Sequence, residues 1–392
     1  MKSNSNIPHI LWITGRYPPL PGGMAVSCDR QVQGLRRRGL AIDVVALVRP
    51  DAATGIHKVD RDGGSDYLLA QSADEGTLAQ RIWRLVLETQ VRRPYTQVVG
   101  FGAGRAGYLA VTFAAWLDCS SLALVRGNDF DRDWFNPRLG YWVRETLSRA
   151  TVIGAVSEDA ARRSGALFPG RDVRFTPNGV NPGDWELLPE DRQIRNEIRS
   201  RLAVDGRRVC GLFGQLKYKK RVPLWLAALR QAGLMSKVSL LIVGRLDEET
   251  RGILADPALV PGHEVIEFSP RDRLPGLYAA CDYIVLPSLF EGMPNVLLEA
   301  MALGVVPIVS SAGAMGDVVQ HGETGFVFPP EDRQAAAAVT AQALALDEPE
   351  LAAMGARAKD QVTRDFSIAR ELDILGGILG LPGPAALDDR PS

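Results

Sequence analysis

A chain of 392 residues, 46% hydrophobic and 23% charged, exceeds one ordinary core and suits two domains. A net charge of −1 shows no overall basic balance of the kind that suits nucleic acid, and no apolar run reaches the roughly 18 residues that span a bilayer. Four cysteines, Cys28, Cys119, Cys210 and Cys281, lie far apart without histidines at ligand spacing. That argues against a zinc site and reads as buried free thiols in a reducing compartment.

In chain order, short runs rich in Val, Ile and Leu alternate with amphipathic stretches. His9–Thr14, Ala41–Val48, Gln97–Phe101, Leu122–Arg126, Thr151–Val156 and Val173–Thr176 read as buried strands. Helical patterns lie between them, at Met24–Arg38, Thr77–Arg92, Gly104–Leu117 and Pro137–Ser148. The rhythm breaks near Pro177–Val204, where turn residues precede a charged segment. A second series of strands follows: Arg208–Phe213, Val238–Val243, Glu264–Phe268, Tyr283–Leu286, Val305–Val309 and Gly325–Phe328. The pattern predicts an α/β protein of two Rossmann-like, doubly wound parallel-sheet domains facing across a cleft. Their expected extents are 1–185 for the N-terminal domain and 186–365 for the C-terminal one. Residues 366–392 form a last helix, with the option of returning to the first domain, and a disordered tail from Leu381. Residues 1–185 carry 23 Lys and Arg against 18 Asp and Glu, and residues 186–392 carry 22 against 28. The mildly basic first half suits an anionic acceptor or an acidic membrane surface, or is ordinary scatter.

The most informative segment is PSLFEGMPNVLLEAMALG, residues 287–304. A strand delivers Pro287 and Ser288, a tight loop holds Glu291 and Gly292, and Pro294 stands where a helix takes its first residue. The amides of Gly292, Met293, Asn295 and Val296 would then face outward at a helix start, a site for diphosphate or sugar hydroxyls. Glu291 and Glu299 are separated along the helix axis and suit different parts of one extended ligand.

This Glu-x7-Glu segment resembles the donor-site signature of the family 4 retaining glycosyltransferases, of GT-B fold. YPPLPGG before a helix, AVSE at 155–158, PNGV at 177–180, GQL and a lysine within 214–220, and HGETGFVFPP at 321–330 fall in the same order. The resemblance implies that Glu291 contacts the transferred sugar, Glu299 the ribose hydroxyls, and the 292–296 amides sugar and diphosphate. Lys220 would neutralise the leaving diphosphate, the base would stack near Phe268–Pro270, and Gly22 and Gly23 would approach the phosphate. Glu291 and Lys220 are thus the expected catalytic residues. The resemblance also implies a nucleotide-diphosphate sugar as co-substrate, no metal, no other cofactor, retention of anomeric configuration and a hydroxyl acceptor. That acceptor would be a glycan, a lipid-linked glycan or a small metabolite. A cytoplasmic location is expected, peripheral on the inner face of a membrane at most.

Two departures stand out. Gln215 occupies a place where the family often has Arg, so diphosphate binding leans on Lys220, helped by Lys217, Lys219 or Arg221. No histidine follows an N-terminal strand as in many relatives; Arg126, Asn128 and Asp129 stand there instead as acceptor-side candidates or as a loop that caps the next helix. Gly102-Ala-Gly104-Arg-Ala-Gly107 after a strand also fits a dinucleotide pattern, which keeps an NAD-dependent oxidoreductase as a rival. A nucleotide-sugar epimerase or phosphorylase is a second rival, and a non-catalytic nucleotide-sugar-binding subunit a third.

Overall fold

The computed structural model describes residues 7–49, 55–70, 74–256, 260 and 262–381. The tail expected beyond Leu381 lies outside them. In chain order the first elements are β1 (His9–Thr14), α1 (Gly23–Arg37), β2 (Ala41–Arg49), β3 (Ile56–Arg61), β4 (Gly64–Ala70), α2 (Glu75–Arg92) and β5 (Gln97–Phe101). There follow α3 (Arg105–Trp116), β6 (Ser120–Val125), α4 (Gly140–Arg149), β7 (Val152–Ala155), α5 (Glu158–Leu167) and β8 (Asp172–Phe175). The second series comprises α6 (Pro189–Leu202), β9 (Arg208–Phe213), α7 (Val222–Gln231), β10 (Val238–Val243), α8 (Glu248–Leu254), β11 (His263–Ile266) and α9 (Leu274–Ala279). It continues with β12 (Tyr283–Leu286), α10 (Asn295–Ala302), β13 (Val306–Ser310), α11 (Met315–Val318) and β14 (Phe326–Phe328). Three helices close the chain: α12 (Arg333–Leu344), α13 (Glu348–Asp365) and α14 (Ile368–Ile378).

Two compact units result, one of residues 1–178 with 369–392 and one of 179–368. The first unit holds the sheet β3-β4-β2-β1-β5-β6-β7-β8 and the second the sheet β11-β10-β9-β12-β13-β14. Every pairing in the second is parallel. In the first, β3 runs antiparallel to β4, which corrects the expectation of a wholly parallel sheet. That hairpin turns at Asp62-Gly63, and its outer strand β3 is mostly exposed, so it carries no hydrophobic run to reveal it. The central strands β1, β5, β10, β12 and β13 are buried along their whole length. Burial on both faces is what a strand covered by helices on either side requires.

Both sheets reverse their winding once. In the first unit the reversal falls between β1 and β5, in the second between β9 and β12. The loops beyond the carboxyl ends of those strands diverge there and leave a crevice, the place where doubly wound sheets bind ligands.

The last helix packs within the first unit. Arg30 pairs with Glu371 at 3.0 Å, and the carboxylate also accepts from Gln31 at 2.7 Å. Gly34 of α1 lies under Leu372, so close that a methyl group on it would sit 2.5 Å from the leucine. Arg36, whose place at a helix end suits a solvent-facing cation, is instead buried. It donates to the carbonyl of Ile42 and reaches Asp66 at 2.8 Å, tying α1 to the hairpin. The thiols of Cys28, Cys210 and Cys281 are buried, whereas Cys119 is only partly so.

Candidate active site

The second unit's crevice is built from the loop after β9 and the loop after β12. After β9 the chain turns through Gly214 and Gln215 into a short 3-10 turn, Tyr218–Lys220. The amide of Leu289 donates to the carbonyl of Lys219 at 2.8 Å, stitching the lysine turn to the glutamate loop. Lys220 Nζ lies 2.5 Å from Glu291 Oε1 and Lys219 Nζ 3.4 Å from Oε2. Ser288 Oγ donates to the same carboxylate at 3.2 Å. Burial alone would raise the Glu291 pKa, but the two ammonium groups outweigh it and hold the carboxyl below its usual range. Lys219 also sits 5.4 Å from the ring centroid of Phe290.

A third loop completes this arrangement. Gly313, at φ +59°, passes so near the glutamate loop that a methyl group on it would lie 2.0 Å from the Glu291 carbonyl. The amide of Ala314 donates to the Gly292 carbonyl at 2.8 Å. Backbone therefore supports backbone beneath Glu291, at a spacing only glycine permits.

Pro294 is the cap of α10 rather than its first residue, and Asn295 and Val296 open the helix. Glu299, one turn further, is buried. Its carboxylate accepts from Tyr278 Oη at 2.9 Å and lies 3.5 Å from Arg271. Tyr278 is itself fully buried, stacked on Phe213 at 4.4 Å between ring centroids. Burial first and Glu299 second push its phenol pKa far up, so it is a fixed donor. Arg271 follows Phe268 and Pro270, and Phe268 is exposed. Sequence reasoning named neither Tyr278 nor Arg271. A tyrosine on the short helix α9 and an arginine in a turn carry no motif of their own.

Gln215 is exposed. Arg221, one of its suggested helpers, is held away: it pairs with Glu331 at 2.6 Å and lies over the Tyr218 ring. Lys219 and Lys220 are the cations brought to Glu291.

The remaining sequence candidates belong to the first unit. Gly22 caps α1 and Gly23 begins it. Arg126 is buried, donates to Thr176 and Asn178, and lies over the Phe101 ring; burial lowers its pKa to about 10. Asp129 spends both oxygens on the amides of Ala103, Arg126 and Gly127. These two residues shape the loop from within, and Asn128 is the more open of the three. Asp129 is also buried and turned to these three amides, which is not the placement of a carboxylate that meets a dinucleotide ribose. In the same GxGxxG stretch, Gly107 packs closely against Gly100 of β5 and Thr146 of α4, which is tight helix–sheet and helix–helix packing.

Among the described residues no group of three His, Cys, Asp or Glu is placed to hold a metal ion. No described helix is long and apolar enough to cross a membrane.

Residues 193–361 match the family model described as glycosyl transferases group 1. The chain is 24% identical over 337 residues to an uncharacterized glycosyltransferase of Methanocaldococcus jannaschii, covering 82% of this chain and 85% of that one. It is 27% identical over 393 residues to the GDP-mannose-dependent alpha-(1-6)-phosphatidylinositol monomannoside mannosyltransferase of Mycobacterium tuberculosis, with coverages of 94% and 98%. Among solved structures, HepE of Anabaena in complex with UDP matches with a TM-score of 0.73 at 18% identity, over 95% of this chain and 99% of that one. The two-sheet architecture is of the GT-B kind, and the chain is a glycosyltransferase.

Proposed function

We propose that this glycosyltransferase takes its sugar from a nucleotide-diphosphate donor held at the β9/β12 crevice and passes it to a hydroxyl acceptor with retention, without a metal. One observation carries the reading: two buried carboxylates flank the start of α10, each with its own partners. Glu291 faces Lys219 and Lys220, whereas Glu299 is braced by Tyr278 and Arg271. An extended donor suits that division. Glu299, oriented by a neutral donor and a cation, accepts the two ribose hydroxyls. The base lies by Phe268–Pro270, the loop that also delivers Arg271. Sugar hydroxyls meet Glu291 and the 292–296 backbone.

As the anomeric bond breaks, negative charge grows on the departing diphosphate. Lys220 and Lys219 offset it where a metal ion would otherwise serve. An acceptor hydroxyl attacking the same face can give its proton to the leaving phosphate, so no separate enzyme base is required. UDP in the HepE complex and GDP-mannose in the description of the mycobacterial relative support the donor class and leave UDP and GDP as the nucleotides to compare. The work is expected at the cytoplasmic face, where nucleotide sugars are made.

A panel of UDP- and GDP-sugars, with and without EDTA, tests the proposal by thermal shift and by release of nucleotide diphosphate. A donor present at about 100 times its dissociation constant should stabilise the fold by about 2.7 kcal/mol. One donor that shifts the melt and is slowly turned over in EDTA supports the donor site and the metal-free mechanism. Activity lost in EDTA and restored by magnesium overturns the metal-free mechanism; no shift with any donor overturns the donor site.

A further inference from the structure

The first unit has a switch-point crevice of its own, of about 220 Å³. Its lining comes from the ends of β1 and β5 (Gly15, Arg16, Phe101, Gly102), the start of α3 (Arg105) and the loop after β6 (Asn128, Arg132). The charges there do not cancel locally. Asp129 is committed to three backbone amides, and Asp133 pairs with Arg132 at 2.6 Å. Among the described residues Arg16 has no side-chain partner, and Arg105 has only Glu75 at 3.9 Å, beyond hydrogen-bond reach. Among the described residues Arg105 Nη2 is buried without a hydrogen-bond partner. Leaving a charged donor in that condition costs free energy unless something else accepts from it.

Arg105 also lines a second cavity of about 220 Å³, in the groove of α2, α3 and α4. Apart from Glu75 and Arg105 at one end, its wall is apolar: Leu78, Ala79, Tyr108, Leu109 and Trp142. Tyr108 and Trp142 meet edge to face at 4.5 Å, so this wall is rigid. A cationic pocket thus opens, across one arginine, onto an apolar groove.

We propose that the acceptor is amphiphilic: a hydroxyl-bearing head carried on a phosphate ester, with a hydrocarbon tail. The phosphate sits against Arg16 and Arg105, and the first carbons of the tail lie along Leu78, Leu109 and Trp142. Arg105 gives a planar, multi-donor contact to phosphate oxygens, and the groove removes apolar surface from water. The inference rests on the glycosyltransferase reading and names the substrate class of its acceptor side.

Binding is measured by calorimetry on the full chain with three probes: inorganic phosphate, decyl phosphate below its micelle concentration, and decyl glucoside. Decyl phosphate is expected to bind about tenfold or more tightly than either of the others, since a hydrogen bond to a charged group is worth roughly that factor. Arg105→Gln should erase its advantage over decyl glucoside, and Arg105→Lys should restore part of it. Trp142→Ala should erase its advantage over inorganic phosphate, with folding checked by the melt. Equal affinity for decyl phosphate and decyl glucoside overturns the anion site; equal affinity for decyl phosphate and phosphate overturns the groove. UDP and GDP binding, measured in the same samples, reports on the donor half. Nucleotide binding retained with no preference among the three probes sinks the acceptor proposal alone, while loss of both would sink the reading beneath it.

Discussion

Glu291 carries two opposite electrostatic demands, a buried position and a full negative charge, and the flanking lysines reconcile them. Since its pKa is depressed in the folded chain, the pair stabilises the protein above the ordinary carboxylate pKa of about 4.3. That contribution fades as pH falls through the lower folded value. The melting temperature of wild type should therefore exceed that of Glu291→Gln at pH 7, with the gap closing under acid. A constant gap across the range would mean that the lysines do not hold the charge. Glu291→Ala and Lys220→Ala should each cut turnover by roughly a hundredfold or more, the scale for losing a group that stabilises transition-state charge. Glu299→Ala acts on a different step. It should weaken nucleotide binding by about tenfold or more in calorimetry, the worth of charge-assisted hydrogen bonds, and unchanged affinity would remove it from the ribose site.

The loops at the ends of β12 and β13 hold the geometry that these side chains depend on. Gly313→Ala would push a methyl group into the Glu291 and Gly292 carbonyls at a positive φ. The glutamate loop must then move, so donor affinity should fall far more than the melting temperature, and nucleotide titration beside a thermal melt separates the two. This element is not legible in the sequence. SSAGAMGD, residues 310–317, reads as an ordinary turn, and its contact with Glu291 is a matter of three-dimensional approach. The strands are legible because burial on both faces leaves unbroken Val, Ile and Leu runs: β1, β5, β9, β10 and β12 fall where the periodicity puts them. The hairpin of β3 and β4 escapes because an exposed edge strand needs no such run. Glu291, Glu299 and Lys220 are legible through spacing and resemblance, and the structure brings Glu291 and Lys220 into contact. Arg126 and Asp129 stand out by position alone, and position cannot tell that their polar atoms are spent on Thr176, Asn178 and three amides.

At the scale of the whole molecule, the chain passes from the first unit to the second after residue 178 and back after residue 368. The two passages lie side by side: the amide of Val180 donates to the Phe366 carbonyl at 2.8 Å, and Ile368 donates to Val180 at 3.0 Å. What returns is α14, whose Glu371 answers Arg30 and Gln31. Glu371→Ala would leave that cation inside α1's interface without a partner, at a cost of about 3 kcal/mol. A chemical-denaturation curve should show the first unit unfolding earlier while nucleotide binding persists. A simultaneous loss of both would mean that the units do not melt separately.

That late partnership has a consequence for synthesis. Domains made early in translation usually fold as they emerge, but here the first unit's α1 waits for a helix that lies 341 residues downstream of Arg30. Until that helix has left the ribosome, Arg30, Gln31 and Gly34 stand without the side chains that cover them. The first unit is therefore finished only after the second, which lies between its two parts, has been made, and a product terminated before α14 would expose that face to proteases and chaperones.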